Sequence, residues 1–360
     1  SRLVLKDLAW SLSQIAEHGP DAFYKGELGQ KFSAAVLEGG GLITMEDLAA
    51  YKVVEGEPVR GTYRGYEVVS MPPPSSGGVH IIQMLNILEG WPIGEYGANS
   101  AQTLHLMTEA MRVAYADRSK YLGDPAFSKV PVAGLISKDY AASLRAGIAL
   151  NKARKSKDVH PGQVPGYESP DTTHFSTVDG KGNMVAVTYT LNFSFGSGLV
   201  AEGTGILLNN EMDDFSAKPG TPNAYGLLGG EANAIGPGKR PLSSMTPTFL
   251  FKDGKPFLVT GSPGGSRIIT TVLQIILNVV DHDFNIALAS NMPRMHHQWY
   301  PDAVSLEQGI SKDTIRLLES WGQTVKPAET MGSTQSIMIK GGYLYGAADP
   351  RRPGALAKGF

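Results

Sequence analysis

The sequence predicts an α+β fold built as a layered sandwich, not a doubly wound parallel sheet. Three features predict it. Helical periodicity dominates the chain to about Leu150, a sharp β-hairpin opens near Thr172, and strands then alternate with helices without the regular βαβ spacing of a parallel sheet.

Leu5, Leu8, Leu12, Ile15 and Ala16 form one apolar face of a first helix, which His18-Gly19-Pro20 ends. Thr44-Met45-Glu46-Asp47 fits a capping box opening a short helix through Leu48 and Ala49. An extended stretch follows at Tyr63 to Val69. Pro72-Pro73-Pro74-Ser75-Ser76-Gly77-Gly78 then reads as a rigid turn that delivers a glycine pair to the next helix. A long helix is expected from about Ser100 to Tyr121, stopping at Gly123-Asp124-Pro125.

Between Asn151 and Asp171 no apolar period survives. The segment carries Lys152, Arg154, Lys155 and Lys157, then Pro161, Gly162, Pro165, Gly166 and Pro170, and reads as an exposed linker. Directly after it comes a hairpin, Thr172 to Val178 and Met184 to Thr190, around Asp179-Gly180-Lys181-Gly182-Asn183. A linker that meets a strand so abruptly is a place where a chain can be cut without unfolding either side. Further strands are expected at Gly205 to Asn209, Thr246 to Lys252, Pro256 to Thr260, Gln335 to Ile339 and Tyr343 to Gly346. Helices are expected at Ser266 to Asp281, Ile286 to Ala289 and Lys312 to Trp321.

Composition narrows the function. The 360 residues hold 32 basic and 34 acidic side chains, and a net charge of −2 argues against a nucleic-acid partner. No apolar run is long enough to span a bilayer; Ile268 to Val280, broken by Thr270, Thr271, Gln274 and Asn278, reads as a buried helix, so no membrane insertion is expected. Ser1 to Lys6 holds no apolar core of a signal peptide, which fits either a protein without a targeting segment or a chain that begins downstream of one. The absence of cysteine removes a disulfide scaffold, a thiol nucleophile and cysteine-held metals, and leaves the compartment open. The adjacent pair His296-His297 cannot share one helix face for a metal, so no metal or other cofactor is expected.

The nucleophile must then be Ser, Thr, Lys or a carboxylate. No Gly-x-Ser-x-Gly elbow stands between a strand and a helix, which weakens a Ser-His-Asp reading. Thr172 is the leading candidate. As the first residue of a new chain it could use its own α-amino group, whose pKa is about 7.7–8.0, as the base. The plain alternative is that Thr172 and Thr173 merely open a strand. The glycine run before the apolar helix near Ser266 could direct free N–H groups at an oxyanion; it lacks the Gly-Lys-Ser/Thr ending of a phosphate loop.

Longer stretches carry a resemblance over nearly the whole chain. Asp171-Thr172-Thr173-His174-Phe175-Ser176-Thr177-Val178-Asp179, with Ala186-Val187-Thr188-Tyr189-Thr190-Leu191-Asn192, closely resembles the start of the small subunit of the γ-glutamyltransferases. Leu207 to Ser216, Lys239 to Met245, Gly261 to Arg267, Pro72 to Gly78 and Ala114 to Arg118 are similar to the same family in the same order.

The resemblance implies an N-terminal-nucleophile hydrolase fold, a four-layer αββα sandwich. It implies a precursor that cuts itself between Asp171 and Thr172, with residues 1–171 the C-terminal part of a large subunit and 172–360 a small subunit, intertwined in one domain. The implied substrates are glutathione and other γ-glutamyl compounds, with water, amino acids or dipeptides as acceptors. Thr172 would be the nucleophile, Thr190 would orient its hydroxyl, and Gly264 and Gly265 would hold the oxyanion. Asn192, Glu211 and Asp214 would hold the substrate α-amino group, and Ser243 and Ser244 its α-carboxylate. Ser216 to Leu228 resembles the family's lid, with Tyr225 as its gate, and its presence favours γ-glutamyl over cephalosporin-type substrates. A periplasmic or secreted location is implied as well.

The resemblance begins inside the family's large subunit. An arginine that clamps the α-carboxylate lies in the family's upstream part, and no residue here matches it; structural ion pairing is the expected role of Arg118 and Arg240. A cephalosporin or glutaryl acylase of the same fold, and an unprocessed, non-catalytic fragment with an incomplete pocket, remain as alternatives.

Overall fold

A computed structural model describes residues 2–160, 172–221, 223, 224 and 226–360. The chain forms two compact units, one of Ser1–Gly56 with Leu191–Asn210 and one of Glu57–Thr190 with Glu211–Phe360. Each unit draws on both sides of Thr172.

In the smaller unit the predicted first helix runs over Lys6–His18, and Gly19, at φ +67°, closes it with an N–H to the Ile15 carbonyl. Its periodicity sets the helix but not the burial. Leu12 is 58% exposed while Ser11 is buried, because the Ser11 hydroxyl reaches the Thr204 carbonyl at 2.6 Å. The capping box forms as expected, with Thr44 and Asp47 satisfying each other's backbone N–H groups ahead of Met45–Ala50. The helix Glu27–Glu38 carries no entry signal that sequence reading used; Phe32 and Val36 on it pack with Leu48 and Ala201 in a small core. The strand expected at Gly205 to Asn209 shortens to Ile206–Leu207, paired with Val200–Ala201.

The larger unit is a mixture of helices and sheet. Six antiparallel strands lie in the order Val59–Tyr63, Tyr66–Ser70, Thr248–Lys252, Lys255–Thr260, Gln335–Lys340, Tyr343–Ala348. The stretch expected to be one extended segment at Tyr63 to Val69 is instead the middle of a hairpin. Arg64 and Gly65 both adopt positive φ, at 48° and 82°, which is the two-residue turn whose twist suits antiparallel strands. Periodicity could not show this, since Tyr63 and Tyr66 flank a turn only two residues long.

The glycine pair opens the helix Gly77–Leu88, every residue of which is buried. Gly77 is there because of a close approach: a Cβ would stand 2.3 Å from Thr246 Oγ1 and 2.5 Å from the Met245 carbonyl oxygen. The helix Ala101–Tyr121 is capped by Ser100 and buried from Thr103 to Ser119 despite four charged residues within that span. The apolar helix Arg267–Val280 is buried along most of its length, as expected for one with few polar positions. At about 1.5–3 kcal/mol for each fully buried Leu or Ile, these three helices supply much of the core's driving force.

The predicted linker is packed in the part that the structure describes. Residues 161–171 lie outside the described residues, but those before them are packed. Arg112, 1% exposed, donates to Asp302, to Ser156 Oγ at 2.5 Å and to Gln323 at 3.0 Å, and pairs with Glu109. Arg154 meets the same Glu109 at 2.6 Å, Trp299 Nε1 donates to the Ser156 carbonyl, and Val159 is buried. Basic residues that looked like a solvated run therefore include a partner for a buried carboxylate, whose charge would otherwise be very costly to bury. His297 also lies here, buried, its Nδ1 accepting from the Trp299 N–H at 3.1 Å.

Candidate active site

Thr172 immediately precedes the strand Thr173–Val178, which pairs antiparallel with Met184–Tyr189. Thr173 faces Tyr189 and His174 faces Thr188, so one further step sets Thr172 opposite Thr190. Alternation puts Thr172, His174 and Ser176 on one face of the hairpin, with Thr188 and Thr190 beside them. That face is organised by His174, which is buried and meets Thr188 Oγ1 at 2.8 Å and Ser176 Oγ at 3.1 Å. Burial pushes the His174 imidazole down to about 4, so it is neutral at physiological pH and serves as a strut between strands. Arg352 reaches the Thr172 carbonyl at 3.4 Å and Thr173 Oγ1 at 3.2 Å.

The same face lies against the segment that leads to the glycine pair. Ser176 Oγ donates to the Gln335 carbonyl, the Gln335 N–H donates to the Gly261 carbonyl, and a Cβ on Gly261 would stand 2.2 Å from the His174 ring. From Gly261 the chain passes through Ser262-Pro263 to Gly264 and Gly265, at φ +133° and +54°. The first value is open only to glycine in practice. Their carbonyls accept the Arg267 and Ile268 N–H groups, whereas their own N–H groups have no acceptor among the described residues. The start of the helix Arg267–Val280 is held by Ser266, whose hydroxyl donates to Gln298 at 2.8 Å and whose carbonyl accepts from the Tyr115 hydroxyl. Two unused N–H groups just ahead of a 14-residue helix form a site of positive potential.

Glu211 and Asp214 share the 3₁₀ turn Glu211–Asp214 and are hydrogen-bonded to each other. Burial raises both carboxyls above their usual range, and for Asp214 the neighbouring Glu211 charge adds to the rise. Asp213 accepts the Ala224 N–H through both carboxylate oxygens, tying the expected lid to this turn, and the Gly220 N–H to Gly229 carbonyl bond closes the lid's base. Tyr225 itself lies outside the described residues.

Ser243 and Ser244 lie beside the start of the helix Gly77–Leu88. Ser243 bridges to Ser75, its N–H donating to the Pro74 carbonyl and its carbonyl accepting the Ser76 N–H at 2.8 Å. The guanidinium of Arg118, 3% exposed, donates to Ser76 Oγ at 3.0 Å and to Ser244 Oγ at 3.1 Å, and its charge also acts on Asp214. Sequence reading gave Arg118 to structural ion pairing, but the structure sets it against one of the two predicted carboxylate hydroxyls. Arg240 stands elsewhere, its backbone N–H on Asp124 at 2.8 Å.

Asn192 belongs to the smaller unit, with φ +74° and its Nδ2 donating to the Asn210 carbonyl at 3.1 Å. Within the larger unit the fold thus brings together Thr172 with Thr190, Glu211 with Asp214, and Ser243 with Ser244 and Arg118.

The larger unit's mixture of helices and antiparallel sheet is a fold shared with solved structures. The cephalosporin acylase from Bacillus halodurans superposes with a TM-score of 0.84 at 31% identity, over 96% of this chain and 61% of that one. The profile of the Gamma-glutamyltranspeptidase family matches residues 1–359, and the chain belongs to that family. It is 59% identical over 359 residues to the glutathione hydrolase proenzyme of Escherichia coli (strain K12), covering 99% of this chain and 62% of that protein. It is 42% identical to the acylase ACY 1 proenzyme of Pseudomonas sp. (strain SE83), over 98% and 61%. The chain thus spans about three-fifths of the length of these relatives. Among the described residues no helix is long and apolar enough to cross a membrane.

Proposed function

We propose that this chain is the nucleophile-bearing part of a γ-glutamyltransferase and glutathione hydrolase. Its architecture is then the αββα sandwich of the N-terminal-nucleophile hydrolases, with residues 1–171 the C-terminal part of a large subunit and 172–360 a small subunit, which stay packed together after the precursor cuts itself between Asp171 and Thr172. Export to the periplasm or outside the cell follows from the same reading. The observation that carries it is the hairpin face on which Thr172 stands opposite Thr190, braced by His174 against the segment leading to Gly264 and Gly265.

Thr172 Oγ1 attacks the γ-carbonyl carbon while its freed α-amine takes the hydroxyl proton. The oxyanion is received by the Gly264 and Gly265 N–H groups. The amine passes the proton to the leaving amide nitrogen, and a γ-glutamyl ester remains on Thr172. Water, an amino acid or a dipeptide then attacks that ester by the reverse proton route. Thr190 orients the nucleophile, Glu211 and Asp214 receive the substrate ammonium, and the Ser243 and Ser244 hydroxyls receive its carboxylate. For Asn192 as a further ammonium ligand, and Tyr225 as the gate, the support is the family resemblance.

The likeness to acylases gives a second reading, in which the acyl group is glutaryl or a cephalosporin side chain. The buried pair Glu211 and Asp214 favours the first, since a glutaryl group has no ammonium to offset two acids. Both readings meet in one experiment on the protein expressed at its natural length. Mass spectrometry should give two chains, the second starting at Thr172, and γ-glutamyl anilide should be cleaved faster than glutaryl anilide, with a dipeptide acceptor raising the rate. A single intact chain, or preference for glutaryl, rejects the proposal. Deleting residues 217–228 should raise cleavage of bulky acyl anilides relative to γ-glutamyl anilide; unchanged selectivity would show that this loop is no lid.

A further inference from the structure

The two serine hydroxyls are polarised alike. Ser243 Oγ accepts from the Met245 N–H at 3.1 Å, and Ser244 Oγ accepts from Arg118 Nη2 at 3.1 Å. Arginine is a donor only, so the Ser244 oxygen must act as acceptor there and its hydrogen must point elsewhere. Among the described residues neither hydroxyl hydrogen has an acceptor. A serine that accepts from a cation is a better donor in turn.

The second contact of Arg118 extends the order. Its Nε donates to Ser76 Oγ, and Ser76 Oγ donates to the Ser243 carbonyl at 2.9 Å, so one guanidinium holds the Ser244 hydroxyl and, through Ser76, the Ser243 backbone. Arg118 is buried behind Ser76 and Ser244. Its positive charge, felt at Asp214, also favours the ionised state of the acid facing the ammonium end.

We propose that Arg118 is a positioning residue for specificity, holding the Ser244 hydroxyl, and through Ser76 the Ser243 backbone, as a preset donor pair for the α-carboxylate of the acyl donor. This rests on the γ-glutamyl reading above. A planar fork is needed, because Ser76 and Ser244 are held by different guanidinium nitrogens, and a lysine ammonium cannot span both in the same geometry.

The test compares γ-glutamyl anilide with 4-aminobutyryl anilide, which keeps the amine but lacks the α-carboxylate. In the protein at natural length, Arg118→Lys should raise KM for γ-glutamyl anilide about tenfold or more, the scale of one lost charge-assisted hydrogen bond. Its kcat on that substrate, and its kcat/KM on 4-aminobutyryl anilide, should stay close to those of the unmodified protein. Ser76→Ala should give the same pattern at smaller amplitude, and it decides the matter if Arg118→Lys does not fold. Equal losses on both substrates, or no change on either, overturn the proposal. An unmodified protein that handles the two anilides equally well refutes the γ-glutamyl reading instead.

Discussion

Thr172→Ala should leave one uncut chain and lower γ-glutamyl anilide hydrolysis by roughly ten-thousand-fold or more, the scale of losing an activated nucleophile. The size of the effect follows from the double use of one residue. In the proposed reaction its hydroxyl would adjoin the peptide bond that is cut, and after the cut the same hydroxyl would attack substrate with its own amine as base. Thr172→Ser keeps both groups and should retain cleavage and measurable turnover. Electrophoresis of the purified protein and an anilide assay read the two steps separately. Processing at Thr172 in the alanine variant, or activity near that of the unmodified protein, would falsify the assignment. Because the His174 strut and the strand register do not depend on the Thr172 hydroxyl, the alanine protein should fold.

Asp214→Asn should have opposite effects on binding and stability. Losing the charged acceptor should raise KM for γ-glutamyl anilide roughly tenfold to a hundredfold, since a hydrogen bond to a charged group contributes about 1.5–3 kcal/mol. Folding should respond the other way. The folded-state pKa of Asp214 is raised, so its contribution to stability is present in full below the unfolded pKa and is lost as pH rises through the raised folded value. At neutral pH the unliganded protein therefore bears the burial of this carboxyl beside Glu211, which asparagine relieves. Thermal melts against pH should show Asp214→Asn more stable near pH 7, with the advantage fading in acid. In the unmodified protein KM should fall as pH rises through the raised pKa of the pair, because the ammonium binds best to the ionised acids. A lower melting temperature together with unchanged KM would show that Asp214 serves the fold and not the ligand.

Much of the chemistry was legible along the chain because it is local. The capping box at Thr44 and Asp47, the hairpin that begins at Thr172 and the apolar helix after Gly264-Gly265 each depend on neighbours within a few residues, and each forms where periodicity or turn chemistry placed it. The two-residue turn at Arg64-Gly65 was missed although Gly65 marks it, since the extended pattern resumes at once with Tyr66. Of the basic residues before His160, Lys152, Lys155 and Lys157 are exposed as expected, and Arg154 was misread as solvated because its partner, Glu109, stands 45 residues away in sequence. Burial along the first helix does not follow its apolar face for the same reason, since the acceptor for Ser11 is the carbonyl of Thr204.

Absence of cysteine, the threonine at a hairpin's edge and the order of the long motifs were sufficient to point to the family and to the nucleophile and acyl group proposed above. They could not say how a carboxylate subsite is made to donate. That depends on Arg118, 126 residues from Ser244 in sequence and 42 from Ser76. The direction of a hydroxyl is set by whatever packs behind it, and a sequence read in order does not contain that neighbour until the chain has folded.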